Sequence, residues 1–152
     1  MSDLEIRHAR LDDLPAIVAM LTDDPLGSAR EAAPDSDSYV IAFRDIDTDP
    51  FQYLMVADLH GAVIGTLQLT IIPGLSRGGM RRGLIEAVRI RADMRNSGLG
   101  RQLVGWAIDQ ARASGCGLVQ LTTDRSRMDV HRFYESLGFT DSHLGMKLAL
   151  TR

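Results

Sequence analysis

The chain has 152 residues and a formal net charge of −3, with 45% apolar and 24% charged residues. This composition is typical of a globular domain, and the length is sufficient for one core without disulfides or metals. We therefore expect a single domain over residues 1–152. The small negative charge disfavours a general nucleic-acid binder, so we expect no nucleic-acid partner.

The sequence favours a cytoplasmic protein without a membrane partner. No apolar run approaches the length needed to cross a bilayer, and the N-terminal residues MSDLEIRHA lack the apolar segment of a signal peptide. The single cysteine, Cys116, cannot form an intrachain disulfide, which fits a reducing compartment. We interpret Cys116 as a packing residue rather than a nucleophile, because no histidine lies near it in sequence.

Charge is distributed unevenly along the chain. Residues 23–50 contain eight acidic residues and two arginines, whereas residues 77–101 contain seven arginines and two acidic residues. The first segment could repel anions and the second could collect them. In the simpler alternative, both charged segments are solvent-exposed surfaces that bind no ligand.

The first third of the chain predicts a strand, a helix and an irregular segment. LEIRHA (4–9) alternates apolar and polar residues, as a strand does. Apolar residues at 11, 14, 17, 18 and 21 then predict a helix, in which Pro15 is tolerated because it lies in the first turn. Residues 23–50 are expected to be irregular, apart from a short helix around 38–44.

The remaining two thirds predict alternating strands and helices. Two β-rich runs broken at His60–Gly61 predict a hairpin, and the following segment PGLSRGGMRRG (73–83) predicts a mobile loop. The patterns then predict the strand LIEAVRIR, a helix that Gly115 ends, the strand LVQLTT, a shorter helix ending at Gly138 and the strand GMKLAL. This order indicates a mixed sheet flanked by helices.

The segment RNSGLG (95–100) lies just before the longer predicted helix and could hold an anion. A P-loop is excluded because the chain has no lysine there, and a dinucleotide fingerprint lacks its third glycine, with Leu103 in that position. The remaining alternative is an R-x-x-G-x-G turn whose backbone N–H groups converge at a helix N-terminus, a geometry that suits a pyrophosphate. A plain strand-to-helix turn would leave the same short signature.

The turn RNSGLG and the later segment HRFYESLGF (131–139) carry a resemblance to the GNAT superfamily of N-acetyltransferases. The resemblance extends over nearly the whole chain. The resemblance implies an α/β, acyl-CoA N-acyltransferase fold. Such a fold has a central mixed, mostly antiparallel, twisted sheet of six to seven strands, splayed at strands 4 and 5 and flanked by about four helices.

The resemblance also implies acetyl-CoA as co-substrate. No metal is expected, because the four histidines lack metal-ligand spacing, and the calcium-loop-like run Asp45, Asp47, Asp49 is followed by Pro50 where that loop needs glycine. The main chain of strand 4 would bind the pantetheine arm, and the RNSGLG turn would bind the pyrophosphate. Asn96 stands where many members have glycine. Arg127 stands where many members have asparagine, and two alternatives are open for its side chain: it contacts a phosphate of coenzyme A, or it faces water. The candidate cofactor-binding residues are Val88, Ile90, Arg91, Arg95, Asn96, Ser97, Gly98, Leu99, Gly100, Arg101 and Arg127.

Attack of an amine on a thioester needs a base for the ammonium proton and an acid for the leaving thiolate. Glu86, in IEAVRI, stands where many members carry a general base that acts through an ordered water. It could instead face solvent or pair with an arginine. Tyr134, in FYESLGF, matches the usual general acid, although its position on the apolar stripe also fits a core tyrosine.

The acceptor is not encoded in any motif. The acidic segment 23–50 suggests a small cationic amine, while a peptide N-terminus and a lysine side chain are alternatives. A non-catalytic acyl-CoA sensor or assembly module on the same fold is the rival function. A homodimer is common in the family and is expected here without direct support from the sequence.

Overall fold

The computed structural model describes residues 3–23 and 25–151. Its backbone divides into two compact units, Met1–Gln120 and Leu121–Arg152. The first unit carries the whole sheet, and the second carries one helix and the C-terminal segment. No described helix has the length and apolar character needed to span a membrane.

The sheet of the first unit has five strands, in the spatial order of the chain. Neighbouring strands are antiparallel except for the last pair, β4 and β5, which is parallel. The mixed, mostly antiparallel sheet is therefore confirmed. Its strands are β1 Leu4–His8, β2 Gln52–Leu59, β3 Ala62–Ile72, β4 Arg81–Ile90 and β5 Cys116–Gln120.

The predicted hairpin joins β2 to β3 through a two-residue turn. Both turn residues have positive φ, 53° at His60 and 85° at Gly61. Such turns match the right-handed twist of the flanking strands. Asp58 secures the turn, since its Oδ1 accepts a hydrogen bond of 2.7 Å from the Gly61 N–H.

Three helices lie between β1 and β2, and the prediction for this region is partly wrong. A 3₁₀ turn at Leu11–Asp13 leads into α1 (Leu14–Thr22), which is the predicted helix with proline in its first turn. The segment expected to be irregular contains α2 (Pro25–Arg30) and α3 (Asp37–Asp47).

Helix α3 is longer than the predicted helix at 38–44 because tertiary packing and a cap stabilise its ends. The Ser36 hydroxyl accepts a hydrogen bond from the Ser38 N–H at 3.3 Å and caps the N-terminus. Phe43 is buried in a cluster with Leu14, Ile17 and Val56, between the helices and the sheet. Burial of this face outweighs the polar composition on which the sequence prediction depended.

The opposite face of the sheet packs against α5 (Leu99–Ala113), which ends as predicted before Gly115, where φ is 81°. Glycines in the sheet allow the close approach. A Cβ added to Gly65 would lie 2.8 Å from Leu103 Cδ1, and one added to Gly83 would lie 3.1 Å from Ala111 Cβ. The helix therefore lies directly on β3 and β4.

The predicted loop at 73–83 is shorter than expected, because β4 already begins at Arg81. The connection contains a four-residue turn, α4 (Ser76–Gly79), in which Arg77 and Gly78 have φ of 55° and 73°. The glycines of SRGGM therefore serve a tight left-handed turn.

The second unit contains the predicted helix, α6 (Met128–Ser136), followed by Gly138 with φ of 97°. The predicted final strand at 145–150 is wrong, since no strand occurs within residues 121–151, and the sheet has five strands rather than six to seven. Alternation predicts one apolar face, but a strand also needs a pairing partner. The alternating apolar side chains are 70–89% exposed: Leu144, Met146, Leu148 and Leu150.

A partly buried ion-pair network joins β1, the start of α1 and the end of β2. Arg7 donates from Nη1 and Nη2 to the two carboxylate oxygens of Asp13, at 2.8 and 3.1 Å, and from Nε to Asp58 at 3.1 Å. Asp13 also accepts from the Arg10 N–H at 2.7 Å. The hydrogen bonds from Arg7 hold the pKa of the Asp13 carboxyl below its usual range, and those from Asp13 raise the pKa of Arg7.

Replacing Asp13 with Asn is expected to lower the free energy of unfolding by about 2 kcal/mol at neutral pH, because the Arg7 guanidinium loses a charged partner. A depressed folded-state pKa stabilises the fold above the unfolded value, about 3.9, and this contribution is lost as the pH falls through the folded value. Urea unfolding should therefore show a difference at neutral pH that shrinks as the pH falls below the unfolded value.

The exposed neighbour Asp12 provides the control. Asp12→Asn should change the free energy of unfolding by no more than about 0.5 kcal/mol. A difference for Asp13→Asn that did not depend on pH would contradict the charged contribution.

Candidate active site

Strand β4 extends well beyond its pairing with β5, which stops about halfway along β4. The two strands pair from Arg81, opposite Cys116, to Leu84, opposite Gln120, whereas β4 continues to Ile90. Within the described part of the first unit, no strand pairs with residues 85–90 on this side. The predicted splay is confirmed, and it leaves a strand edge whose backbone groups can bind another extended chain.

On its other side, β4 carries a bulge against β3. Glu86 pairs with Gln68 and Arg89 pairs with Thr66, so two residues, Ala87 and Val88, stand opposite the single residue between those partners. Ala87 has a φ of 53°, which is rare for a residue with a side chain. Bulges bend a strand and redirect its groups, and this bulge lies where β4 leaves β5.

The glycine-containing turn follows the end of β4. After a 3₁₀ turn at Ala92–Met94, Asn96 and Gly98 have φ of 63° and 85°, and α5 begins at Leu99. A Cβ on Gly98 would meet nothing within 4 Å, so the glycine is required for its backbone angle and not for space. Leu99, 1% exposed, fixes the first turn of α5, whose N–H groups can bind an anion.

Two of the predicted cofactor-binding arginines are held by carboxylates of the protein. Arg91 donates to both oxygens of Asp93, at 2.7 and 2.9 Å, and this pairing holds the pKa of Asp93 below its usual range. Arg95 lies 3.3 Å from Asp23, with both side chains more than half exposed. Exposed pairs of this kind are weak, so a ligand phosphate could replace Asp23.

Glu86 is exposed and immediately precedes the bulge. Its cross-strand partner Gln68 donates from Nε2 to the Oε1 of Gln52 at 2.9 Å, and the same oxygen accepts from the Thr70 hydroxyl at 2.8 Å. Among the described residues, Glu86 forms no ion pair. The alternative in which it pairs with an arginine is therefore not observed.

Tyr134 and Arg127 belong to the second unit. The ring of the half-buried Tyr134 packs edge-on against Phe133 and Phe139, with centroid distances of 5.1 and 5.6 Å. Arg127 precedes α6, and its carbonyl accepts from the His131 N–H at 3.1 Å. The glycine turn, the bulge and Glu86 are thus built by the first unit, and the candidate acid by the second.

Sequence reasoning missed two cavities in the first unit. One, of about 160 Å³, lies beside the bulge residue Ala87, between α1, α3 and the sheet. The other, of about 260 Å³, includes His8, Asp47, Asp49 and Tyr53 in its lining. The apolar stripe of α1 is visible in the sequence, but a gap between elements depends on packing that no local pattern encodes.

A mixed sheet that opens at a bulged strand and leads into a glycine-capped helix defines an α/β acyltransferase fold. The chain belongs to the Acetyltransferase (GNAT) family, whose family model matches residues 14–139. The family, the fold and an acetyltransferase activity are thereby confirmed.

Two relatives named as N-acetyltransferases are similar over nearly their whole length. Aminoalkylphosphonate N-acetyltransferase of Salmonella typhimurium is 29% identical over 146 residues, which cover 96% of this chain and 91% of the relative. Glucosamine 6-phosphate N-acetyltransferase of Trypanosoma brucei brucei is 32% identical over 154 residues, with 97% of each covered. A solved structure described as a transcriptional regulator from Bacillus halodurans C-125 is 46% identical, with a TM-score of 0.94 and coverage of 97% and 99%.

Replacing Gly98 with Ala is expected to lower the free energy of unfolding by about 1 kcal/mol, because an L-residue is strained at a φ of 85°. Gly105 is the matched control, since it lies inside α5 without positive φ, and a Cβ there meets nothing within 4 Å. Gly105→Ala should raise the free energy of unfolding by up to about 1 kcal/mol. Urea unfolding of both variants should give opposite signs; stabilisation by Gly98→Ala would contradict the need for glycine at the turn.

Proposed function

We propose that the protein transfers the acetyl group of acetyl-CoA to the primary amine of a small cationic molecule, by direct attack in a ternary complex. One observation carries the proposal: the open edge of β4 at residues 85–90 leads directly into the glycine-capped start of α5. Acetyl-CoA has an extended pantetheine arm that leads to a pyrophosphate. The arm matches the strand edge, and the pyrophosphate matches the start of α5. Both relatives are named as N-acetyltransferases, which supports an amine acceptor.

In this proposal, the donor lies along β4. The amides of the pantetheine arm pair with the main chain of Val88 and Ile90, beside Arg91, as an added strand would. The pyrophosphate binds the backbone N–H groups of residues 95–100, where glycine allows close approach and the helix dipole favours negative charge. Arg95 exchanges Asp23 for a phosphate oxygen. Arg101, in the first turn of α5, adds a counter-charge, and Arg127 contacts a further phosphate of coenzyme A or faces water.

The transfer requires the nitrogen to lose two protons and the coenzyme A sulfur to gain one. Glu86, through an ordered water, accepts the proton that the ammonium group must lose before its nitrogen attacks the thioester carbon. A main-chain N–H at the bulge donates to the carbonyl oxygen as negative charge builds on it. The tetrahedral intermediate then expels the coenzyme A sulfur as its C–S bond breaks, and the Tyr134 hydroxyl donates a proton to that leaving thiolate. The second proton of the nitrogen passes to the tyrosinate, directly or through water, which leaves a neutral amide and restores Tyr134.

The domain organisation, the location and the partners of the protein are also part of the proposal. The match to the family model spans residues 14–139 and so includes parts of both compact units, which supports one acetyltransferase domain over 1–152. A cytoplasmic location, a homodimer, and the absence of nucleic-acid and membrane partners remain predictions from the sequence. The acidic residues of 23–50 support a cationic acceptor.

The rival function is a non-catalytic sensor that binds acyl-CoA on the same fold. Both functions require the same donor site, so donor binding alone does not separate them. Turnover does, because only an enzyme releases free coenzyme A in the presence of an amine.

Calorimetric titration of the full chain with acetyl-CoA should give a dissociation constant in the low micromolar range. Gly98→Glu should abolish binding, because it places a negative charge and a strained backbone at the pyrophosphate site. Gly105→Glu, which adds the same charge further along α5, should retain binding. Absence of binding by the wild type would leave 95–100 as a plain strand-to-helix turn.

Glu86→Gln and Tyr134→Phe are each expected to lower kcat by about 100-fold, the usual contribution of a positioned acid or base. The affinity for acetyl-CoA should remain within about twofold of the wild type, because neither group binds the donor phosphates. Rates would be followed as thiol release with a chromogenic disulfide. Glu5→Gln, which neutralises an exposed glutamate on β1, should retain the full rate; wild-type kcat in both site variants would rule out these roles.

A further inference from the structure

The cavity beside the bulge has a wall that is almost entirely apolar. No charged residue of the described chain lines it. The wall combines residues of both helices with residues of the sheet, among them Ile17, Leu21, Phe43, Leu54, Leu67 and Ala87.

The polar residues of the wall already hydrogen-bond within the protein. The Thr66 hydroxyl donates to the Met55 carbonyl at 2.8 Å, and the Gln68 amide donates to Gln52. The Tyr39 hydroxyl donates to Glu31 at 2.9 Å and accepts from the Ala32 N–H at 2.9 Å. These bonds engage the Thr66 and Tyr39 hydroxyl groups and one N–H of the Gln68 amide, and an apolar occupant leaves none of them broken.

The cavity reaches the place where transfer is proposed. Ala87 is both a wall residue and the strained residue of the bulge, between Glu86 and Val88. Ala42 and Ala87 are exposed, whereas Phe43 and Leu67 are buried. The cavity is therefore closed at its base and open towards the two alanines.

The volume is larger than an acetyl group requires. A cavity of about 150 Å³ lined by leucine, isoleucine and phenylalanine binds benzene, and this cavity has a volume of about 160 Å³. The family to which the chain belongs transfers acetyl, a group of two carbons, so the donor leaves most of this volume unfilled.

We propose that the acceptor amine carries an apolar group of about six carbons, an aromatic ring or a branched chain, which fills this cavity while the amine faces Glu86. The inference rests on the proposed acetyl transfer. It separates this chain from the two relatives, whose named acceptors carry a phosphonate and a phosphate. A phosphonate or phosphate would not be stable against a wall that has no charged side chain and whose two hydroxyl groups already donate within the protein.

The test compares two primary amines that differ in the apolar group, 2-phenylethylamine and ethylamine, with acetyl-CoA and the full chain. Burial of the ring should raise kcat/KM for 2-phenylethylamine about 30-fold over ethylamine. Hexanoyl-CoA is compared with acetyl-CoA in the same assay, because a long acyl chain is the other possible source of an apolar group at this position.

Two neighbouring positions on α3 give a matched pair of variants. Ala42→Phe places a ring at the cavity mouth from an exposed position, and it should reduce the ratio of the two kcat/KM values at least tenfold. Ile41 is 60% exposed and does not line the cavity, so Ile41→Phe should preserve the ratio. Saturation-transfer NMR with toluene gives a readout apart from catalysis: binding to the wild type and Ile41→Phe, and loss in Ala42→Phe.

Each other outcome overturns the inference in a distinguishable way. Equal kcat/KM for the two amines would show that the cavity does not bind the apolar group of the acceptor, while the acetyl transfer itself would stand. A preference for hexanoyl-CoA that Ala42→Phe abolishes would assign the cavity to the donor. No release of coenzyme A with either amine, in a protein that binds acetyl-CoA, would overturn the inference, because an amine whose ring fits the cavity would then not be an acceptor.

Discussion

The path of β4 is the constraint on which the site depends, because this strand must pair with neighbours of different extent. It remains bonded to β3 as far as Ile90, and the Arg91 N–H adds a bond of 2.9 Å to the Ile64 carbonyl, whereas pairing with β5 stops at Leu84. The bulge lies between these two limits. The strand pairs on both sides of Ala87 hold this residue at a positive φ, a conformation that costs about 1 kcal/mol. The register of those pairs requires the extra residue to be accommodated here.

Packing on the far face sets where the proposed anion site lies. Gly65 stands opposite Ile90 at the end of β4, and a Cβ on Gly65 would lie 3.3 Å from Leu99 Cδ2. Leu99, the first residue of α5, therefore packs on the sheet where β4 ends. The turn at 95–100 connects two points that the core has already fixed, and its positive φ angles close a short connection between them.

Much of this architecture is predictable because the determining signals are local. The hairpin depends on two adjacent residues with positive φ, the end of α5 on Gly115, and the candidate donor site on Arg95, Gly98 and Gly100 within one short turn. Glu86 and Tyr134 are candidates because they lie in the motifs IEAVRI and FYESLGF, and their roles stay predictions.

The features that escaped prediction depend on relations between distant segments. The bulge is a mismatch of register between β3 and β4, and Ala87 gives no glycine signal for its positive φ. Helix α2 lies in a segment whose acidic, irregular composition gave no helical stripe, and the final strand was predicted from alternation without a partner. The cavity is a gap left by α1 and α3, which only their packing on the sheet determines.

The surface pair between Asp23 and Arg95 has a thermodynamic consequence for the two halves of the site. Asp23 directly follows α1, whose Leu21 lines the cavity, while Arg95 begins the glycine turn. In the proposed function, a ligand that takes Arg95 from Asp23 would change the restraint on that end of α1. Occupancy of the turn and of the cavity would then be linked, and linkage is reciprocal. An exposed pair is worth less than about 1 kcal/mol, which limits this mutual effect on affinity to about fivefold.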